Sequence, residues 1–139
     1  MIEIQQPKDL LSVSIKNILS YRDENELQKL IKDYNKKIIV EIENFYPSMV
    51  LFQENTISFD FGEDLGKADL KIRMSLDTLL DLAYGRLSLP KAILTRKLRI
   101  KGIYKLTTVL RFKKIFLDTL KMVAKEPNQN YYELNQNIR

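Results

Sequence analysis

The spacing of apolar residues changes twice along this chain of 139 residues, and that change limits the fold more than any other feature. Near both ends, apolar side chains recur every three or four positions, which is typical of amphipathic helices. In the middle they alternate with polar side chains, which is typical of strands with one buried face. This order of elements predicts a sheet covered by helices on one side, so the predicted fold class is α+β.

The pattern predicts five helices and five strands. Helices are expected over about 8–19, 23–35, 76–84, 90–96 and 104–124, and strands over 36–44, 68–74 and 97–102, with a hairpin over 47–64. Ser75 is a candidate N-cap, and Gly85 is placed to end the helix that follows it. The pair Glu54-Asn55 predicts a tight turn, because Asn tolerates a positive φ.

The length of the chain predicts one domain, which is followed by a polar tail. The domain is expected to cover residues 1–126, and Pro127 opens a polar C-terminal tail, 127–139. The N-terminus, "MIEIQQPKDLL", lacks the basic-then-apolar pattern of a signal peptide. No apolar run approaches the length of a membrane span. A cytoplasmic location is therefore expected.

The sequence offers few residues for catalysis or metal binding. It contains no His and no Cys, which excludes disulfides, thiol nucleophiles, imidazole ligands and His-based triads. Asp77 and Asp81 share a helix face, a spacing that acid–base catalysis could use, but an exposed face is the favoured interpretation. The acidic residues around 60–69 lack the spacing of a calcium loop. We expect no catalytic residue, no metal and no cofactor.

Positive charge is concentrated in one segment. Residues 91–125 hold eleven Lys and Arg and a single acid, Asp118, whereas the whole chain carries a net charge of +5. One interpretation is an anionic partner, which could be a lipid head group, an anionic membrane surface or a nucleic acid. A solvated surface that keeps the protein soluble is the simpler interpretation.

The predicted helix over 104–124 has more large apolar residues than one buried stripe needs. Phe112, Ile115 and Met122 fall partly outside the main stripe. A helix of this kind is either wholly buried or lines a space that takes up apolar molecules. Periodicity alone favours the plain core helix.

The segment at 69–102 resembles the sterol carrier protein type 2 family of lipid-binding domains. The matching features lie in "ADLKIRMSLDTLLDLAYGRLSLPKAILTRKLRIKG": a strand, a helix started by Ser75, then "LAYGRL" and Pro90, then the strand "KLRIKG". The later "KLTTVLRF" and the earlier "NELQKLIKDYNKKIIVEIEN" are similar to that family as well. The resemblance covers about 24–124 and rests on many weak positions rather than on one diagnostic motif.

The resemblance implies a fold and a site. The implied fold is a five-stranded, curved, mostly antiparallel sheet of order 3-2-1-4-5, with helices on one face and an apolar tunnel between them. Members often carry a glycine just before the last strand, where this chain has Thr95 and Arg96. The candidate lipid-binding residues are Ile72, Met74, Leu79, Leu82, Ile93, Leu106, Leu110, Phe112, Phe116 and Leu120.

The function implied by the resemblance is a non-catalytic lipid-binding or lipid-transfer protein. Its ligand would be a sterol, a fatty acid, an acyl-CoA or a phospholipid. An accessory subunit that presents a lipid-like intermediate to an enzyme fits the same features. A basic nucleic-acid-binding module is a further alternative, although no known nucleic-acid motif is present. The sequence leaves the oligomeric state open.

Overall fold

In the computed structural model, which describes residues 2–125, six strands form one mixed sheet. The strands are β1 (Glu3–Ile4), β2 (Lys36–Ile42), β3 (Ser48–Gln53), β4 (Thr56–Phe61), β5 (Leu70–Met74) and β6 (Leu98–Lys101). The helices are α1 (Leu10–Leu19), α2 (Glu24–Ile31), α3 (Leu76–Ala83), α4 (Leu89–Leu94), α5 (Leu106–Phe112), a π-helix (Lys113–Leu117) and α6 (Asp118–Lys125). The α+β class is confirmed. The predicted tail, 127–139, lies outside the described residues.

The strands lie in the order β1-β4-β3-β2-β5-β6. Without β1 this is the predicted order 3-2-1-4-5. β2 pairs in parallel with β5, while the pairs β2–β3, β3–β4 and β5–β6 are antiparallel. The sequence does not predict β1, which pairs in parallel with β4 through Glu3 and Ile4 alone. Two residues are too few to show an alternating pattern.

One face of the sheet packs under the helices. Alternate residues of the central strands, such as Val40 in β2 and Ile72 in β5, are buried in one core with residues of α1, α2, α3 and the last helix. Their sequence neighbours Glu41, Lys71 and Arg73 are at least partly exposed on the other face. The predicted division into a covered and a wet face is therefore observed.

Local signals in the sequence act largely as predicted. The Ser75 hydroxyl accepts the N–H of Thr78 at 3.1 Å and caps α3. Gly85 has a φ of +77° just after that helix, as a glycine at this position allows. The hairpin turn is located correctly, but Glu54 rather than Asn55 takes the positive φ, at +55°. The side chain of Asn35 accepts the N–H of Glu54 at 2.8 Å, which favours this turn conformation.

Arg96 also has a left-handed backbone, with a φ of +60°, between α4 and β6. This is the position where the resemblance led us to expect glycine. Its N–H donates to the carbonyl of Ile93 at 3.1 Å, and its side chain is exposed. The chain therefore keeps the glycine-type turn with a residue for which that conformation is strained.

The last helix is interrupted rather than continuous. In the π-helix, the N–H of Asp118 donates to the carbonyl of Lys113, five residues earlier. A π turn contains more residues than an α turn, so the residues after it face a different direction from that given by α-helical spacing. Consecutive residues Ile115, Phe116 and Leu117 are all buried there. The change of helix type accounts for these three consecutive buried residues, whereas Leu106, Leu110 and Met122, which also widen the predicted stripe, are exposed.

Candidate functional site

An apolar pocket lies between the inner face of the sheet and the helices α3, α4 and α5 with its π-helical continuation. Its cavity volume is about 50 Å³. Six of its lining residues are among those proposed from the sequence: Ile72, Met74, Leu79, Leu82, Phe112 and Phe116. Two come from β5, two from α3 and two from the last helix, so the fold brings three separate parts of the sequence to one site.

The sequence-based proposal misses seven lining residues. These are Val40, Leu89, Leu98, Ile100, Val109, Lys113 and Leu117. The strand residues among them could have been found, because Val40, Leu98 and Ile100 are on the apolar side of alternating strands that flank β5 in the predicted order. Lys113 could not, since no apolar pattern identifies a charged residue as part of an apolar wall.

Four proposed residues do not line this pocket. Leu106 is 62% exposed and Leu110 is 53% exposed, so both lie on the outer side of α5. Ile93 and Leu120 are partly buried and pack against the core elsewhere. The helical period of α5 is correct, but its buried face contains Thr108, Val109 and Phe112, whereas Leu106 and Leu110 face outward.

A row of aromatic rings runs from the core into the pocket. Phe112 meets Phe52 edge-on, with centroids 6.3 Å apart, and stacks on Phe116 at 5.6 Å. Phe52 in turn meets Tyr34 at 5.4 Å. Offset or edge-to-face aromatic contacts add to the free energy of burial, so this row ties the pocket wall to the core.

Tyr34 anchors the inner end of that row. Its hydroxyl donates to the carbonyl of Thr108 at 2.8 Å, and the guanidinium of Arg111 lies 5.1 Å from its ring centroid. Arg111 also donates to the carbonyls of Leu30 and Lys32 at the end of α2. Burial raises the pKa of the Tyr34 phenol well above its usual range, and the positive charge of Arg111 only partly offsets this.

Few polar groups line the pocket. Among residues 2–125, Lys113 is the one charged residue that lines it, and its ammonium is 3.3 Å from Asp118. The Asp81 carboxylate forms an ion pair with the Arg86 guanidinium at 2.8 Å, and neither residue lines the pocket. No group of three or more acidic side chains within the described part of the chain is arranged to hold a metal ion.

The outer face of the sheet is basic where β5 and β6 pair. Lys71 lies opposite Lys101, and Arg73 lies opposite Arg99. Glu41 of β2 contacts Lys71 at 3.1 Å and Arg73 at 3.8 Å, as the predicted strand order requires. Within residues 2–125, neither cation of β6 has an ion-pair partner. Like charges directly opposite each other destabilise a sheet, so this arrangement has a cost in stability.

Within 2–125, no helix is long and apolar enough to cross a membrane.

The outer sheet face also bears a groove of about 290 Å³, bounded by Glu41 and by the basic residues of β5 and β6. Basic side chains therefore border a shallow groove on this face.

Solved structures of sterol carrier proteins resemble this fold. The UbiJ-SCP2 ubiquinone synthesis protein superposes with a TM-score of 0.57 at 19% identity, over 88% of this chain and 99% of that chain. Sterol carrier protein 2 from Yarrowia lipolytica, in its apo form, superposes with a TM-score of 0.56 at 19% identity, over 84% of this chain and 96% of that chain. A possible sterol carrier protein from Thermus thermophilus superposes with a TM-score of 0.56 at 14% identity, over 94% of this chain and 100% of that chain. At sequence identities of 14–19%, these superpositions show that the fold is shared.

The same fold occurs inside a larger enzyme. The sec-alkylsulfatase Pisa1 from Pseudomonas sp. superposes with a TM-score of 0.53 at 18% identity, over 64% of this chain. This chain spans only 14% of the length of that protein. The match therefore concerns one part of the alkylsulfatase.

The sequence comparison is decisive for the family. No curated protein sequence matches the chain. Residues 15–116, which are more than half of the chain, match the SCP-2 sterol transfer family. That segment runs from α1 to the π-helix and includes every residue that lines the apolar pocket except Leu117. The chain therefore belongs to the SCP-2 sterol transfer family.

Proposed function

We propose that this chain is a non-catalytic lipid-binding or lipid-transfer protein that holds the apolar part of its ligand in the pocket. The ligand is a sterol, a fatty acid, an acyl-CoA or a phospholipid. The observation that carries the proposal is the lining, in which every residue except Lys113 is apolar. Moving an acyl chain from water into such a site contributes ~0.8 kcal/mol per CH₂ group, so few polar contacts are needed.

The pocket has to widen when it takes up a lipid. A volume of about 50 Å³ has room for roughly four water molecules, at ~10–15 Å³ each. This is less than a sterol or a complete acyl chain occupies. Met74 has three rotatable bonds and can adapt its shape, and the leucines of α3 border the same space. We expect ligand uptake to rearrange these side chains.

The direct test is to identify a bound lipid. Native mass spectrometry of protein purified from its host, followed by organic extraction, would reveal a co-purifying lipid. A titration in which lipids displace a fluorescent fatty acid would then rank the candidate ligands. Failure of acyl and sterol probes to bind at micromolar concentration would contradict the proposal.

An accessory role is the second candidate. It is suggested by the likeness to UbiJ-SCP2, which is described as a ubiquinone synthesis protein and is covered over almost its full length. In that role the chain would present a lipid-like intermediate to an enzyme rather than carry lipids between membranes. Co-purification with an enzyme whose activity on an apolar substrate rises when this chain is added would favour it.

The basic outer face is the proposed contact with an anionic membrane surface. Lys71, Arg73, Arg99 and Lys101 supply four cations, of which Glu41 contacts two. Each Lys or Arg near an anionic leaflet contributes ~1 kcal/mol of attraction. Nucleic acid is the less favoured partner, and an affinity of useful strength that falls steeply with salt would support it. A cytoplasmic location is part of this proposal.

A further inference from the structure

Lys113 is placed differently from the other cations of the basic segment. It lines the apolar pocket, and its side chain is 33% exposed. Lysine buries its methylene stem against apolar surface and keeps its ammonium in water. We therefore place the ammonium at the rim of the pocket, where an apolar interior meets solvent.

The π-helix explains how this lysine reaches the rim and stays there. Its ammonium is 3.3 Å from Asp118, which is five residues further along the chain. Side chains three and four apart face each other on an α-helix, whereas the i to i+5 repeat of a π turn stacks residues five apart. The π turn between Lys113 and Asp118 brings the two side chains together and keeps the ammonium beside the pocket.

The pair retains binding capacity for another anion. An ammonium has three donors, so one contact with Asp118 leaves donors available for a second acceptor. Asp118 is itself 34% exposed, and solvent competes for its contact with Lys113. A ligand whose chain fills the pocket would bring its head group to this position.

We propose that the pocket selects lipids with an anionic head group, which Lys113 binds at the rim while the apolar chain lies inside. This rests on the proposed lipid-binding function and narrows the ligand to an amphiphile with a carboxylate or a phosphate. Hydrogen bonds between charged groups are stronger than those between neutral groups. A neutral head group of the same chain length is therefore bound less tightly.

The test compares ligands that share one chain and differ in their head group. Hexadecanoic acid, hexadecyl phosphate and hexadecanol are titrated by displacement of a fluorescent probe. The wild-type chain is expected to prefer the two anionic ligands over the alcohol by about tenfold or more. The ratio between acid and phosphate identifies which anion the rim accommodates better.

Lys113→Met retains the apolar stem and removes the charge, so it should abolish the preference while hexadecanol still binds. Lys114→Met is the matched control, since its side chain is exposed, carries the same charge and lies outside the lining. The control should keep the preference. Asp118→Asn removes the competing carboxylate and should raise affinity for the anionic ligands, which gives a second measurement if Lys113→Met folds poorly.

The outcomes separate this inference from the function on which it rests. Equal affinity of wild type for acid, phosphate and alcohol overturns the role of Lys113 but leaves lipid binding intact. An equal loss of preference in both lysine variants shows a general effect of surface charge and overturns it as well. If none of the three ligands binds, the lipid-binding function itself fails.

Discussion

The ring of Phe116 stacks on the ring of Phe112, with centroids 5.6 Å apart and 11° between the ring planes. The two residues lie on either side of the boundary between α5 and the π-helix, and both line the apolar pocket. Phe112 also meets Phe52 of the core at 6.3 Å. One side of the pocket wall is thus fixed to the core, while Phe116 borders the free volume.

Phe116→Ala should cost less stability than the same change at Phe52. Phe52 is enclosed in the core and does not line the pocket, so its loss should cost the ~3–5 kcal/mol typical of a dense core. Phe116 already borders a cavity, so its removal enlarges a space instead of creating one. Urea unfolding of the two variants measures the difference in the free energy of unfolding.

The same position can be tested with a larger side chain. Overpacking a dense core costs ~1–3 kcal/mol, whereas a pocket can accept the larger ring and lose room for ligand instead. Phe116→Trp is therefore expected to keep its melting temperature and to weaken the binding of a fluorescent fatty acid. Strong destabilisation by both Phe116 variants, with probe binding unchanged, would indicate a solid core at this position.

The sheet could be predicted from local patterns, whereas the family resemblance located six of the thirteen residues that line the pocket. Alternation identified the inward residues Ile72 and Met74, and the strand order placed β5 between β2 and β6. The helical period of α5 was also visible, but its phase was not, because Leu106 and Leu110 are as apolar as the buried Val109. Apolar character alone cannot select between adjacent faces of a helix that is apolar on both.

Two other features could not be read from the sequence for a different reason. The π-helix at Lys113–Leu117 is contacted from far along the sequence, because Arg22 donates to the carbonyl of Lys114 at 3.2 Å. The left-handed backbone at Arg96 is imposed by the connection from α4 to β6. Local propensity opposes both conformations, and tertiary packing selects them.

Arg96→Gly should therefore stabilise the protein. A left-handed conformation costs a residue with a side chain ~1–2 kcal/mol, and glycine avoids this cost but gains ~0.4–1 kcal/mol of unfolded-state entropy. The expected net gain in the free energy of unfolding is therefore ~0–1.6 kcal/mol. Lys97→Gly is the control, because Lys97 is exposed, adjacent and without a positive φ, so glycine there can only destabilise. A loss of stability in both variants would count against strain at Arg96.

The stability of the protein should fall in alkaline solution because of Tyr34. Its pKa is raised in the folded state by burial, so above pH ~10 the unfolded chain releases the phenolic proton before the folded chain does. The stability linked to this proton is complete below pH ~10 and is lost as the pH rises towards the folded-state pKa. Urea unfolding between neutral pH and pH ~11 measures the decline.

Substitutions at two tyrosines isolate this contribution. Tyr34→Phe should be less stable at neutral pH, since the carbonyl of Thr108 loses its donor, but its stability should decline less in alkali. Tyr84→Phe serves as the control because Tyr84 is 56% exposed, and it should keep the alkaline decline of the wild type. An identical decline in all three proteins would show that Tyr34 is not the source of the effect.

The last prediction concerns the basic outer face of the sheet. Arg99→Gln and Lys101→Gln should each weaken binding to vesicles of phosphatidylcholine with phosphatidylserine by about fivefold, because each removes one cation near the surface. Exposed lysines near the end of α2 on the helical side, Lys29 and Lys32, are the matched controls and should change binding little. Glu41→Gln should strengthen binding, since it frees Lys71 and Arg73 from their shared counter-charge.

Co-sedimentation at low and high salt measures all these variants, and vesicles of phosphatidylcholine alone should bind none of them. Equal losses in the β6 and α2 variants would show that net charge, not this face, drives the attraction.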